Sequence, residues 1–412
     1  MKDLYTSLDI GSSSIKLVVA EMYKGKLNVL ACSEVKSKGI KNGLIVNAEE
    51  VLICLKEVFR RTEEVLQIKI NKVLAIIPSY YSEFFLSEGY TTITREDKKI
   101  NGSDIVRAMQ SSAYNRVPDN RELVSICPID FVIDDEENVV DPKGKEGEKL
   151  YVKTVISTVP KKNVYGIVTL LDNIGVDVVD IALSPTADYY EFRKKEYEDK
   201  TGAVINIGKD KTEVSIINKG ILIATEIIPI GGKNIDKDIS YIYNINMKDA
   251  LYLKENFALA SKRNASAREI ETLVNEDNEE VKVNQYELSE IIYSRLKEIL
   301  DLSKKQINLL TKKEISYIII TGGTTEISDF KVVFDNMFGR NYTYTEVKEI
   351  GVRNNKYSGV VGAIKFYYDK LKFKNHITST IDEEEQKGLF TVKKNVNKDS
   401  VLGKVYGYFF DN

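Results

Sequence analysis

The apolar residues of this 412-residue chain follow two rhythms, one with a period of two and one with helical spacing. Alternation near the N-terminus predicts three strands, over residues 4–11, 14–21 and 26–33. Helical spacing over residues 47–66 predicts a helix with Asn47 as its N-cap. A short apolar run at 73–78 then predicts a buried strand. Strands alternating with helices in this way are typical of an α/β domain.

The same order of elements returns in the second half of the chain. Alternation resumes at residue 203, residues 236–310 are predicted to be mainly helical, and a β-branched strand is predicted at 315–321. The stretch 80–160 differs, with many aromatic residues and charged turns, and predicts a small inserted α+β unit. We therefore expect two duplicated α/β domains: 1–80 with 161–200, an insert at 81–160, and 201–373 with a helical subdomain at about 230–310.

One strand–turn–strand motif occurs in both halves. The first copy runs from Leu8 to Val19, and the second runs from Ala203 to Ile217. Both copies keep a glycine in the turn, Gly11 and Gly208. The other turn residues differ between the copies: Asp9, Ser12 and Ser13 in the first correspond to Asn206, Lys209 and Asp210 in the second, and Lys211 follows.

The residue types in the first turn favour phosphate binding. Consecutive backbone N–H groups in a tight turn can bind phosphate oxygens, and the hydroxyls of Ser12 and Ser13 add donors without bulk. Asp9 is placed to hold a hydrated Mg²⁺, and Lys16 can direct its charge at the phosphates. Two strands that run into glycine pairs, Gly231-Gly232 and Gly322-Gly323, add two more turns at which a ligand can approach the backbone.

Composition excludes several classes of protein. The net charge of -3 gives no nucleic-acid signature, and the single histidine, His376, excludes a Ser-His-Asp triad and multi-histidine metal sites. Cys32, Cys54 and Cys127 lie too far apart for a disulfide or zinc framework. The N-terminus lacks an apolar secretion segment, and no apolar run approaches the ~20 residues that span a bilayer. These features favour a cytoplasmic protein.

The C-terminal residues change character again. Residues 374–399 are polar and charged, which predicts a flexible linker. Residues 400–412 predict a short amphipathic helix downstream of Lys393, Lys394 and Lys398, of the kind that lies in an anionic membrane surface. The predicted membrane-binding residues share its apolar face: Val401, Leu402, Val405, Tyr406, Phe409 and Phe410.

Together these motifs resemble the actin-like superfamily and, within it, the bacterial FtsA family. The resemblance rests on the two turns, on Pro229-Ile230-Gly231-Gly232, on Ile320-Thr321-Gly322-Gly323 and on Tyr357-Ser358-Gly359-Val360-Val361-Gly362-Ala363. Within the insert, Val106-Arg107-Ala108, Pro118–Leu123, Cys127-Pro128 and Asp141–Gly147 follow the FtsA pattern. It implies duplicated actin-like (ribonuclease-H-like) domains with a nucleotide cleft between them.

The family resemblance also implies ligands and partners. ATP and Mg²⁺ would be bound by Asp9, Gly11, Ser12, Ser13, Lys16, Gly208, Lys209, Lys211, Thr212, Gly231, Gly232, Lys254, Gly322, Gly323 and Thr324. The protein would polymerise head to tail and would tether FtsZ to the inner face of the membrane at the division site. The FtsZ C-terminal peptide would bind Arg295, Glu298, Ile299 and Leu302, and other division proteins would bind the insert.

Several positions depart from the family pattern. Asn206 replaces an acid, Lys209 and Lys211 replace small residues, Thr324 replaces a glycine, and Leu251 stands where an acid near the ribose is common. No residue is therefore assigned a catalytic role, and we expect at most a weak ATPase. One hypothesis is that a turn lysine substitutes for metal charge and ATP still binds; the other is a scaffold that needs no nucleotide. A kinase and a pilus-assembly relative are the alternatives from other classes.

Overall fold

The computed structural model describes residues 3–339, 342–371, 379–382 and 385–386. The predicted linker at 374–399 and membrane helix at 400–412 therefore lie almost wholly outside the described residues. Within the described residues, no helix combines the length and the apolar character that crossing a membrane requires.

The first half of the chain builds a five-stranded sheet with helices beside it. Its elements are β1 Asp3–Ile10, β2 Ser14–Tyr23, β3 Lys26–Lys36, β4 Ile40–Lys41, β5 Leu44–Ile45, α1 Ala48–Leu66, β6 Lys72–Ile77, α3 Lys161–Asp172, β11 Asp177–Leu183 and α4 Ser184–Phe192. The strand order is β11-β6-β1-β2-β3, with β11, β6 and β1 parallel and the β1–β2–β3 meander antiparallel. Helices α1 and α3 pack together beside this sheet. Asn47 caps α1 as predicted, because its side chain accepts from the N–H groups of Glu49 and Glu50.

The insert forms a separate antiparallel sheet between β6 and α3. Its elements are β7 Glu83–Thr92, α2 Gly102–Ala113, β8 Arg121–Ile133, β9 Glu136–Val139 and β10 Lys149–Pro160. The strands lie in the order β7-β10-β8-β9, and α2 packs against the sheet over a small core that includes Ile93, Ile105 and Phe131. An N-terminal capping box, formed by Asn101 and Asp104, begins α2.

The second half repeats the arrangement of the first. Its elements are β12 Thr201–Ile207, β13 Thr212–Asn218, β14 Ile221–Ile228, α5 Gly232–Tyr243, α6 Met247–Tyr252, β15 Ile270–Val274, β16 Glu280–Asn284, α7 Gln285–Leu310, β17 Tyr317–Thr321, α8 Phe330–Phe338 and α9 Ser358–Leu371. The main sheet has the order β14-β13-β12-β17, with an antiparallel β12–β13–β14 meander and β17 parallel to β12, as β6 is to β1. The predicted duplication of the α/β fold is therefore confirmed.

Two helices cross between the halves. Helix α4 follows β11 of the first half but packs on the second sheet. Helix α9 is the last element of the second half but packs on β1, β2 and β6 of the first sheet. The two helices lie against each other between the sheets, and Gly362 of α9 allows the contact, because a Cβ there would lie 1.8 Å from the Ala187 oxygen. The predicted boundary of the second domain at 373 is thus wrong for α9, whose apolar residues belong to the first core.

Residues 236–310 are mainly helical, as expected, with one exception. Residues 270–284 form the β15–β16 hairpin instead. Alternating apolar residues in Ile270–Val274 pair with β16, and Asn278, with a φ of 64°, closes the turn. Asparagine tolerates this left-handed backbone, which a helix cannot contain.

A second correction concerns the predicted linker. Thr380 and Ile381 are buried on the first domain, where Thr380 Oγ1 accepts from the Thr6 N–H at 2.7 Å. Asp382 forms an ion pair with Lys72 at 2.6 Å. The polar composition of 374–399 concealed these contacts, because hydroxyl and carboxylate groups make most of them and Ile381 is the one residue of 379–382 in the apolar core. Residues 379–382 thus belong to the folded domain.

Candidate functional site

The turns of the two repeated hairpins face the same short loop of the first domain. Asn42 N–H donates to Asp210 Oδ2 of the second turn at 3.0 Å, and Gly43 N–H donates to Ser12 Oγ of the first turn at 2.7 Å. The turns also close alike, since Gly11 N–H donates to Ser14 O and Gly208 N–H donates to Lys211 O. The structure therefore brings together two turns that are distant in the chain.

The first turn combines free amides with a balanced charge. Asp9 and Lys16 are register partners in β1 and β2, and Lys16 Nζ lies 2.9 Å from Asp9 Oδ2. Within the described residues, the N–H groups of Ser12 and Ser13 donate to no protein acceptor. Lys16 therefore compensates the one carboxylate of this turn, while the amides of Ser12 and Ser13 stay available to an anionic ligand.

The second turn contains a carboxylate that sequence reasoning missed. Glu213 is the register partner of Asn206, as Lys16 is of Asp9. It is buried, and it accepts from Ser184 Oγ at 2.7 Å and, at closer range, from Ser79 Oγ. The spacing that both repeats share between these register partners could have identified this position before the structure was known.

Lys211 is a structured residue rather than a free cation of the turn. Its Nζ lies 3.7 Å from Glu213 Oε1 and 4.6 Å from the centre of the Tyr80 ring, which belongs to the first domain. Lys209, by contrast, makes no ion pair among the described residues. Of the two turn lysines predicted to bind phosphate, Lys209 is thus the one whose charge is available.

Both glycine pairs pack against the second turn. Gly232 N–H donates to Gly208 O at 2.9 Å, and a Cβ on Gly231 would lie 2.6 Å from the same oxygen. Gly322 has a φ of +97° and passes Asn206 so closely that its Cβ would lie 2.5 Å from Asn206 Oδ1. Gly323 follows Gly322 beside Lys356, and Thr212 supports this region by donating to Ile230 O. Both glycine turns thus lie against the turn of the second hairpin.

Thr324, which stands where the family pattern has a glycine, is buried beside Gly208 and Gly232. Its Oγ1 donates to Gly208 O at 3.0 Å, and it would lie 2.5 Å from a Cβ on Gly232. The threonine therefore fills space between the two glycine turns and holds them together. A ligand that reaches these turns must bind beside this side chain.

Lys254 is buried within the second domain. Its Nζ lies 2.5 Å from Asp236 Oδ1 and 3.3 Å from Gly232 O, and both side chains of the ion pair are buried. Sequence reasoning missed Asp236. Because Lys254 donates to Gly232 O, the ion pair contacts the Gly231-Gly232 turn and supports it through Gly232.

A second buried carboxylate, Asp188 of α4, lies beneath the second turn. It accepts from Asn206 Nδ2 and from Ser358 Oγ, each at 2.6 Å. Burial raises the pKa of Asp188 to about 7, against the lowering effect of these two donors, and the negative charges of Glu213 and Asp9 raise it further. Its ionisation is thus set by groups from both halves of the chain.

The pKa of Asp188 predicts a pH dependence of stability. Because its folded-state pKa lies above its unfolded value, the folded state binds the extra proton, and the stability this confers is lost as pH rises towards 7. The loss between about pH 5 and about pH 8 is expected to be roughly 2–3 kcal/mol. Urea unfolding of the wild type and of Asp188→Asn at both pH values measures it. An equal pH dependence in the two chains would contradict the assignment.

The predicted partner surface lies on α5 and α7 of the second domain. Arg295 donates to Asp238 through Nε and Nη2, at 2.7 and 2.8 Å, and Nη1 lies 2.5 Å from Glu298. These residues line a cavity of about 370 Å³ together with Tyr241, Ile242, Glu290, Ile291 and Ser294. Tyr241 is 88% exposed.

Ile299, one of the residues predicted to bind the FtsZ peptide, does not lie on this surface. Ile299 is 0% exposed and packs in the core of the second domain, so its assignment to the partner surface is wrong. It continues the buried stripe of Ile292 and Leu296 at helical spacing, and this stripe forms the inner face of α7. Leu302 is half-buried and does not line the cavity, whereas Tyr241 and Ile242 provide the apolar surface that Ile299 does not.

The donors of the cleft fit an anionic ligand better than a bare metal ion. Within the described part of the chain, no group of three or more His, Cys, Asp or Glu side chains could share a metal. The free amides of Ser12 and Ser13 and the charge of Lys209 are suited to phosphate oxygens. The carboxylates around the two turns are already engaged: Asp9 is paired with Lys16, Glu213 lies near Lys211, and Asp210 accepts from the Asn42 N–H group.

Comparisons with known proteins agree with this architecture. Residues 203–362 match the family model of cell division protein FtsA, and residues 81–158 match the SHS2 domain inserted in FtsA. Cell division protein FtsA of Bacillus subtilis is 28% identical over 366 residues, covering 88% of this chain and 83% of the relative. The protein of Enterococcus hirae is 28% identical over 365 residues, covering 88% and 83%.

Solved structures show the same fold at low identity. The PilM-PilN type IV pilus biogenesis complex superposes with a TM-score of 0.54 at 17% identity, covering 88% of this chain and 98% of that chain. MreB5 of Spiroplasma citri bound to ADP gives 0.55 at 14% identity, covering 91% and 99%. These likenesses show that the fold is actin-like. With both FtsA models matched and FtsA relatives aligned over most of its length, the chain belongs to the FtsA family of cell division proteins.

Proposed function

We propose that this protein is an adaptor that polymerises and tethers FtsZ filaments to the cytoplasmic membrane at the division site. One observation carries the proposal: the actin-like fold holds the FtsA-type insert between β6 and α3, and its second half matches the FtsA model independently. A pilus-assembly role is the second candidate, and the structural likeness to PilM supports it at the level of fold alone.

We propose ATP as the ligand of the cleft. The support is the convergence of both hairpin turns and both glycine pairs, and an actin-like neighbour, MreB5, is described as bound to ADP. The amides of Ser12 and Ser13 and the charge of Lys209 would bind the phosphates. Mg²⁺ would enter with the nucleotide and be held mainly by phosphate oxygens. Asp9 would be the carboxylate of the first hairpin that lies beside it.

Hydrolysis in this cleft would be slow or absent. The carboxylates near the second turn are already engaged, Glu213 by Ser79 and Ser184 and Asp188 by Asn206 and Ser358. A general base needs an acceptor free to take a proton from water at the phosphates. A scaffold that works without nucleotide is the alternative, and the burial of Thr324 between the glycine turns favours it.

The FtsZ peptide is proposed to bind the cavity between α5 and α7. Its lining combines the exposed ring of Tyr241 with charges of both signs: Arg295 faces Asp238 and Glu298, and Glu290 pairs with Lys262. Because the acids outnumber the one arginine, the surface suits a peptide that carries apolar and basic side chains besides a carboxylate. A purely acidic peptide would meet repulsion here.

Self-association and contacts with other division proteins are proposed to use the insert. The side chains of Leu86, Tyr90 and Tyr151 are exposed on one face of its sheet, where the rings of Tyr90 and Tyr151 lie 5.7 Å apart. Alternate residues of a strand share a face, so these three side chains lie on one face, where the exposed charges of Glu88 and Lys153 interrupt the apolar patch. Such patches often mark protein interfaces.

Removing the C-terminal helix is expected to abolish membrane binding. Truncation after Lys398 deletes the proposed membrane-binding residues Val401 to Phe410 and leaves the folded domains complete. Co-sedimentation with anionic liposomes measures binding, and thermal unfolding of the truncated chain is the control for folding. Equal sedimentation of the full and truncated chains would contradict the proposed anchor.

A further inference from the structure

The short β4–β5 hairpin of the first domain ends in a tip that contacts the turns of both repeated hairpins. The tip is Asn42-Gly43, and both residues have a left-handed backbone, with φ of 53° and 78°. Gly43 N–H donates to Ser12 Oγ of the first turn at 2.7 Å, whereas Asn42 N–H donates to Asp210 Oδ2 of the second turn at 3.0 Å. Two successive residues therefore join the two turns that are proposed to bind phosphate.

The base of the β4–β5 hairpin is fixed to the first domain. Ile40 and Ile45 are register partners at this base, and both pack against the first core. Gly39 O accepts from Val46 N–H at 2.8 Å, which closes the loop around the hairpin. The Asn42-Gly43 tip is thus held by the first domain, and Asp210 reaches it from the second domain.

Asp210 brings an unpaired negative charge to this contact. It forms no ion pair among the described residues, whereas Asp9 of the first turn is paired with Lys16. The charge of Asp210 also acts on the first domain: burial, together with the charges of Glu213 and Asp210, raises the pKa of Tyr80 to about 12. The carboxylate therefore faces the first domain across the cleft.

The Asp210 carboxylate is bound in the manner of an anionic ligand. Successive backbone N–H groups in a tight turn form a site that accepts anions, and the Asn42-Gly43 tip is such a turn. Asp210 Oδ2 takes one of its N–H groups, and Ser12 Oγ takes the next. A ligand phosphate that contacted both repeated turns would have to enter this gap, and there it would meet the carboxylate.

We propose that Asp210 is an autoinhibitory residue: its carboxylate occupies a phosphate position between the two turns, bridges the cleft to the Asn42-Gly43 tip, and must leave before a triphosphate can contact both turns. The proposal rests on nucleotide binding as the proposed function of the cleft. ATP binding and the bond between Asp210 and Asn42 then compete, and each weakens the other by the same factor.

Two effects of Asp210 oppose a triphosphate. The hydrogen bond between the carboxylate and Asn42 N–H has to break, and the negative charge repels the phosphates for as long as it stays near them. Salt screens the second effect more than the first. Replacing Asp210 therefore strengthens ATP binding, although it removes a contact of the folded protein. A residue that only supported the fold would weaken binding or leave it unchanged.

Calorimetric titration with ATP and Mg²⁺ compares the wild type with two variants of this residue. Asp210→Ala removes both the hydrogen bond and the charge, and it is expected to bind ATP about tenfold more tightly. Asp210→Asn keeps an oxygen for the Asn42 N–H and removes only the charge, so a gain of about threefold is expected, which shrinks at high salt. Asp199→Ala, which removes an exposed acid at the opposite end of β12, is the control and should leave the affinity unchanged.

Hydrogen exchange without nucleotide tests the contact itself. The Asn42 amide of the wild type is expected to exchange slowly, because it donates to Asp210, and to exchange about tenfold faster in Asp210→Ala. The Val46 amide, which donates to Gly39 O within the same loop, is the internal reference and should not change. Mass spectrometry with fragmentation to single amides measures both.

Two results would overturn the proposal. One is an Asp210→Ala chain that binds ATP no more tightly than the wild type does, and the other is an Asn42 amide that exchanges equally fast in the two chains. ATP binding by neither chain would instead reject the cleft as a nucleotide site, and the competition with it. The exchange experiment would still report whether Asp210 closes on the tip.

Discussion

Replacing Gly362 by alanine is expected to destabilise the folded chain strongly. The new Cβ would lie 1.8 Å from Ala187 O, 2.7 Å from Ala187 C and 3.0 Å from Glu191 N. All three are backbone atoms of α4, which cannot retreat because the second sheet lies behind it. Overpacking of this kind costs about 3 kcal/mol or more, a large share of the roughly 5–15 kcal/mol that stabilises a domain.

Urea unfolding measures this effect against a matched helical glycine. A Cβ on Gly166 of α3 would meet only Ile45 Cδ1, at 3.6 Å, so Gly166→Ala is expected to stabilise the chain by up to about 1 kcal/mol. If Gly362→Ala were as stable as the wild type, the close contact between α4 and α9 would be wrong. The exchange of helices between the halves would then lose its main support.

Reversing the charge of Arg295 is expected to weaken binding of the FtsZ C-terminal peptide about thirtyfold or more. Arg295→Glu would place a carboxylate beside Asp238, Glu290 and Glu298, so the cavity would lose its one cation and become strongly acidic. Loss of a charge pair at an interface costs about 2 kcal/mol or more, which is about thirtyfold in affinity. Fluorescence anisotropy of a labelled peptide measures the change.

Two further variants separate binding from folding in this experiment. Tyr241→Ala removes an exposed ring that lines the cavity and should weaken the peptide about tenfold without loss of stability. Lys297→Glu reverses a charge on α7 outside the cavity lining, in contact with Asp301, and should leave the affinity unchanged. Equal affinity for the wild type and both Arg295→Glu and Tyr241→Ala would place the peptide on another surface.

Features of the fold encoded in short stretches were predictable from the sequence. The alternation around Leu8 and Ala203 predicted both hairpins, and the Asn47 cap followed from the residue types that begin α1. Contacts between distant segments were not predictable in this way. The crossing of α4 and α9 depends on Gly362 meeting Ala187, far away in the chain, and no local pattern records such a contact.

The same distinction applies to the cleft. The glycine turns were predicted because tight backbone geometry requires glycine, whereas the partners of the charged residues were not. Lys211 lies near Glu213 and Tyr80, and Lys254 pairs with Asp236, and no motif in the sequence indicated these contacts. Asp188 carried no motif at all, since its importance arises only where α4 meets β12.

Recruitment of FtsZ to a membrane by this protein tests the proposed adaptor function most directly. Fluorescent FtsZ would be imaged with anionic vesicles, in the presence of the full chain or of the chain truncated after Lys398. FtsZ is expected to collect on the vesicles with the full chain and to stay in solution with the truncated one. Vesicles that bind the full chain yet leave FtsZ in solution would contradict the account.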